Sequence, residues 1–146
     1  MQLTGSHTLA APIEKVWQML MDTDILAKIV PGVSRLEKTG ENEFEAISEI
    51  KLGPVSGKFS GGLTLSDIVE PTTFTLNVSQ NSKIGNADAS IKINLVALDE
   101  QQTEISFDGE AKLSGLLART GQRVLSGVAN TLTKQFFTNF EEEIAS

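Results

Sequence analysis

From Phe44 onward the apolar residues of this chain alternate with polar ones. Phe44, Ala46, Ile50 and Leu52 share one parity, as do Phe59, Leu63 and Leu65, then Phe74, Leu76 and Val78, then Ile91, Ile93, Leu95 and Ala97, and finally Ile105, Phe107 and Ala111. Successive strand side chains point to opposite faces, so a period of two predicts antiparallel strands with one buried face each. Turn signals separate the runs: Thr39-Gly40-Glu41-Asn42, Gly53-Pro54-Val55-Ser56-Gly57, Glu70-Pro71-Thr72, Asn81 to Asn86, and Asp99 to Gln102. Their spacing is that of a hairpin meander.

Leu3 to Ala10 reads as an opening strand. Ala11-Pro12-Ile13-Glu14 then starts a helix, with proline in the first turn and an early acid, and Val16, Trp17, Leu20 and Met21 give it one apolar side. A second short helix is expected from Thr23 or Asp24 to about Ile29, ended by Pro31-Gly32. The last quarter, Leu113 to Phe140, is long enough for a single helix and passes from small residues to bulky ones. Each strand's apolar face needs a cover, and only this helix is long enough to supply one. The expected fold is therefore α+β, a single domain over residues 1–146. A curved antiparallel sheet of about seven strands wraps the long C-terminal helix, and two short helices follow the first strand.

A chain of 146 residues can bury one core or a modest ligand cavity. With no cysteine it has no disulfide, thiolate metal site or thiol nucleophile. No apolar run approaches the roughly 20 residues that span a bilayer, and the N-terminus lacks a basic start followed by an apolar stretch. A soluble, cytoplasmic protein is expected. The net charge of −7 argues against nucleic-acid binding, which needs cations to neutralise phosphates. Lys112, Arg119, Arg123 and Lys134 stand between Ala111 and Phe140 with no acid among them, so that stretch carries +4 and leaves −11 elsewhere. These cations are either ordinary solvated helix positions or a face for an acidic partner or lipid headgroups.

Candidate chemistry is sparse. His7 is the only histidine, so no common zinc set can be assembled and no metal or cofactor is expected. It shares strand parity with Leu3 and Leu9, which suits a hydrogen-bonded interior histidine better than a general base without a partner. Asp22 and Asp24 suit a helix start, Glu43, Glu45 and Glu49 fall on the solvent parity, and Glu141, Glu142 and Glu143 form a terminal charge run. No residue is assigned a catalytic role. Gly61-Gly62 lies inside a strand pattern and Gly53 to Gly57 makes a turn, so neither is a phosphate loop.

What remains is a cavity. Small residues at Gly61, Ala97, Gly109, Ala111, Gly115, Ala118 and Gly121 leave room between sheet and helix. Leu63, Leu65, Leu76, Phe107, Leu117, Gly121 and Val124 are the candidate ligand-binding positions, with Phe74 and Leu116 beside them. The same residues could be plain core. Arg119 and Arg123, a turn apart on one helical face, could anchor a polar head, a membrane or a partner. Phe136, Phe137 and Phe140 are expected to pin the helix end to Trp17.

The element order, with Ala11-Pro12-Ile13-Glu14-Lys15-Val16-Trp17 in the first helix, resembles the helix-grip superfamily of START, Bet v 1 and polyketide cyclase proteins. More narrowly, Val30-Pro31-Gly32-Val33, the stretch from Gly53 to Gly61, and Gly115 to Arg123 with Phe136-Phe137 resemble the CoxG family of carbon monoxide dehydrogenase proteins. That resemblance implies a non-enzymatic accessory protein of molybdenum-containing carbon monoxide dehydrogenases and related hydroxylases. Such a protein would help attach the dehydrogenase to the inner face of the cytoplasmic membrane and handle a quinone or lipid. The alternatives are a small cyclase or hydratase, for which His7 is the one inviting group, and an assembly factor without a ligand.

Overall fold

A computed structural model describes all of residues 1–146. The chain runs β1 (Gln2–Leu9), α1 (Ile13–Leu20), α2 (Thr23–Ile29), β2 (Val33–Gly40), β3 (Glu43–Leu52), β4 (Val55–Val69), β5 (Thr73–Ser82), β6 (Gly85–Asp99), β7 (Gln102–Leu113), α3 (Gly115–Arg119) and α4 (Gln122–Ala145). The strands form one antiparallel sheet in the order β1-β7-β6-β5-β4-β3-β2. Every turn signal in the meander falls at a hairpin, because alternation holds only where the backbone is extended and fails where the chain reverses.

Register carries the alternation across the sheet. Phe44, Leu63, Val78, Ala89 and Ala111 stand opposite one another in one row, and Leu65, Leu76, Ile91, Gly109 and Leu3 in the next. These rows make the inner face. Glu45, Glu49 and Lys58 alternate to the outside and are exposed.

The two short helices close one end. Asp22 caps α2, its carboxylate accepting from the Asp24 and Ile25 backbone N–H groups at 2.9 and 3.3 Å. Val16, Trp17, Leu20 and Ile29 then pack with Leu9, Phe74, Leu95, Ile105, Phe137 and Phe140 into the main core. Trp17 meets Phe74 edge to face at 5.6 Å. Thr103 is fully buried there and donates from Oγ1 to the Ala11 carbonyl at 2.9 Å. The expected docking of Phe136, Phe137 and Phe140 against Trp17 is what the main core contains.

The C-terminal quarter departs from expectation in one respect: it is two helices. At Gly121 the backbone takes φ 101° and ψ 142°, a conformation open to glycine and strained for other residues. This ends α3 and starts α4 on a new phase. The longer helix continues past Phe140 to Ala145, about 36 Å at 1.5 Å per residue. Its last turns are tied to α2 by Asn139 Nδ2 donating to the Ile29 carbonyl at 3.2 Å and by a Lys28–Glu143 ion pair at 3.7 Å.

Candidate functional site

Helix α4 is held at its two ends. Phe137 and Phe140 anchor the C-terminal half in the main core, while Leu125 and Val128 pack against a second, smaller cluster of Val55, Phe59 and Leu117. Between these anchors Leu63, Val78 and Ile91 on the sheet and Leu132 on the helix are half-buried and belong to neither cluster. The middle of the inner face is thus lined by half-buried aliphatic side chains that neither cluster covers.

The candidate ligand positions divide accordingly. Leu63 is half-buried between the two clusters, whereas Leu65, Leu76 and Phe107 pack along the edge of the main core. Leu117 is buried in the second cluster and closes the hairpin end instead of lining open space. Gly121 and Val124 lie outside: Gly121 has open space where a side chain would point, and Val124 is 40% exposed. A continuous helix would have put residues 117, 121 and 124 on one face. The break resets the phase, and Leu125, Val128, Leu132 and Phe136 turn inward. Ala97, expected at the inner surface, is exposed near the end of β6.

Arg119 and Arg123 are separated by the same break and share no helix. Both are exposed, and neither makes an ion pair. Leu116, 57% exposed, and Val124 flank them, so the α3 end presents an apolar and cationic knob to solvent. This knob is firmly seated. The Leu117 N–H donates to the Ile84 carbonyl at 2.8 Å and the Ser114 N–H to the Asn86 carbonyl at 3.0 Å. At Gly85 (φ 132°) a Cβ would lie 1.9 Å from the Ser114 carbonyl oxygen, so only glycine admits this approach.

A cleft of about 640 Å³ lies between β1 and α4. Its lining is mostly polar, with Asn130, Thr133, Lys134 and Thr138 from the helix, and Phe107 is the only candidate ligand position in it. His7 sits there on the inner parity of β1, bonded through Nε2 to Glu141 Oε1 and stacked on Phe137 at 4.5 Å between ring centroids. The histidine thus has a partner that nothing in its sequence neighbourhood assigns. Glu141, one of the terminal charge run, is a functional candidate because α4 carries it one turn past Phe137.

No helix is long and apolar enough to cross a membrane, and no group of three or more metal-ligating side chains comes together. The architecture is that of a START-like helix-grip domain. A START superfamily protein from Mycobacterium smegmatis superposes with a TM-score of 0.76 at 11% identity, over 99% of this chain and 97% of that one. The ZhuI aromatase/cyclase from Streptomyces sp. R1128 gives 0.71 at 15% identity, over 98% and 92%. A conserved protein from Geobacillus kaustophilus is nearer, with 33% identity, a TM-score of 0.96, and 99% and 95% coverage. No curated protein matches the sequence significantly. The family model for the CoxG subunit of carbon monoxide dehydrogenase matches residues 5–145, and the chain belongs to that family.

Proposed function

We propose that this protein is a non-enzymatic accessory protein of a molybdenum-type dehydrogenase, a carbon monoxide dehydrogenase or related hydroxylase. It holds a hydrophobic molecule such as a quinone or lipid between α4 and the sheet, and helps attach the enzyme to the membrane or deliver its electron acceptor. Membership of the CoxG family supports the partner. The observation that supports the ligand is the inner face between the two clusters, where Leu63, Val78, Ile91 and Leu132 are half-buried yet join neither, and this is the hollow we assign to the ligand. Covering such surface with an apolar tail contributes roughly 25 cal/mol per Å² removed from water. The seated knob of Leu116, Arg119, Arg123 and Val124 suits the edge of an anionic bilayer, apolar groups entering and cations meeting headgroups.

Native mass spectrometry of protein purified gently from its source, with organic extraction of whatever is bound, tests the reading. A stoichiometric quinone or lipid is expected. An empty protein that also fails to take up added quinones would overturn it and leave an assembly factor without a ligand.

A further inference from the structure

We propose that the cleft between β1 and α4 binds a hydroxyl-bearing ring compound, a phenol or ring alcohol, with Nδ1 of His7 accepting the hydroxyl proton. The inference goes beyond the carrier reading, since the cleft and its His7–Glu141 pair stand whatever the hollow holds.

The two ring nitrogens of His7 are not equivalent. Nε2 is engaged by Glu141, and a carboxylate can only accept, so the neutral imidazole carries its proton on Nε2. Nδ1 is then a bare acceptor, and no protein group donates to it. The parallel stack on Phe137, 15° between planes, fixes the ring face while Glu141 fixes its rotation about that face. A carboxylate-oriented imidazole of this kind takes a proton from an O–H donor and holds the resulting positive charge.

The surroundings select the ligand. Phe107 brings the tip of its ring against Gly5, where a Cβ would come within 2.6 Å of Cζ, and it adds an aromatic side chain to the lining that His7 shares. Thr133 and Thr138 supply hydroxyls on the helix side. An aromatic side chain with hydroxyls beside it suits a ring that carries oxygen substituents. A carboxylate head has no proton to give to Nδ1, so it cannot use this acceptor, whatever Lys134 and Glu141 contribute to the field of the cleft. When transfer is complete the ligand O–H bond breaks and an Nδ1–H bond forms. Phenolate then faces imidazolium, the imidazolium is paired with Glu141, and the net charge of the complex is unchanged.

The test uses the full chain with 4-nitrophenol, whose anion has its own absorption band, and with 4-nitroanisole, the same ring without the proton. The wild type is expected to prefer the phenol by about tenfold and to raise its ionised fraction. His7→Gln should abolish that preference while leaving nitroanisole binding unchanged. Glu141→Gln frees the tautomer and should lower the ionised fraction with nitroanisole binding again unmoved. Circular dichroism confirms that both variants are folded. Equal wild-type affinity for the two compounds, no binding of either, or a parallel loss of both in His7→Gln would overturn the proposal. Uptake of N-phenyl-1-naphthylamine, measured alongside, shows separately whether the carrier reading falls too.

Discussion

Truncating α4 at two positions separates a helix packed along its whole length from one that bridges a hollow. Phe140 is 0% exposed within the main core, whereas Leu132, two turns earlier, is half-buried and joins no cluster. Phe140→Ala removes a fully enclosed ring and should cost about 3–5 kcal/mol. Leu132→Ala removes a side chain that is already partly wet, and its cost should stay below about 1 kcal/mol. For 146 residues the unfolding entropy is about 0.3 kcal/mol/K, so the two variants should lower Tm by about 10–15 °C and by less than about 3 °C. Thermal unfolding followed by circular dichroism reads both, and urea unfolding checks that the m-value is unchanged. Leu132→Trp should keep the wild-type Tm and lose uptake of an apolar fluorescent probe, because the indole occupies the hollow. Equal destabilisation by the two alanine substitutions would refute the bridge.

Three further outcomes are expected. Thr103→Val keeps the shape of the buried side chain but leaves the Ala11 carbonyl without its donor, and should cost about 1–3 kcal/mol in urea unfolding. Gly85→Ala should loosen α3 by forcing Ser114 away, seen as amide exchange at Leu117, whereas Gly121→Ala meets no neighbour and should show only the conformational cost, about 1–3 kcal/mol. Reversing both Arg119 and Arg123 to Glu should weaken sedimentation with phosphatidylserine vesicles by at least about tenfold, at roughly 1 kcal/mol for each cation near the surface, without changing Tm. Unchanged sedimentation would remove the knob as a membrane contact.

Strand positions are legible in the sequence because each strand has one wet and one dry face, and the turn residues mark every reversal from Thr39 to Gln102. Helix α2 is legible from its capping residues: it starts at Thr23, and of the polar residues at that start it is Asp22 that accepts from the backbone. The break at Gly121 is not: a glycine in an apolar stretch can mean room for a ligand or a stop, and in Arg-Thr-Gly-Gln it means a stop. The misplacement of positions 121 and 124 follows from that ambiguity alone. The His7–Glu141 contact has no local signal at all. Its partners are 134 residues apart and meet only because the first strand lies on the sheet edge beside the last helix. Acidic residues in the final turn of a helix oppose its dipole, and here His7 and Lys28 answer two of the three.

The strand order also sets a timetable. Strands β2 to β7 each pair with a neighbour in the chain, so they can zip as successive hairpins, each closing a short loop. Strand β1 pairs only with β7, in a register that joins Gln2 to Glu110. On a ribosome the first strand made therefore waits, unpartnered, until nearly the whole sheet has emerged, and α4 arrives later still. The cleft, built from the oldest and youngest parts of the chain, is the last place to take shape, so substitutions there should speed unfolding while leaving the folding rate nearly untouched.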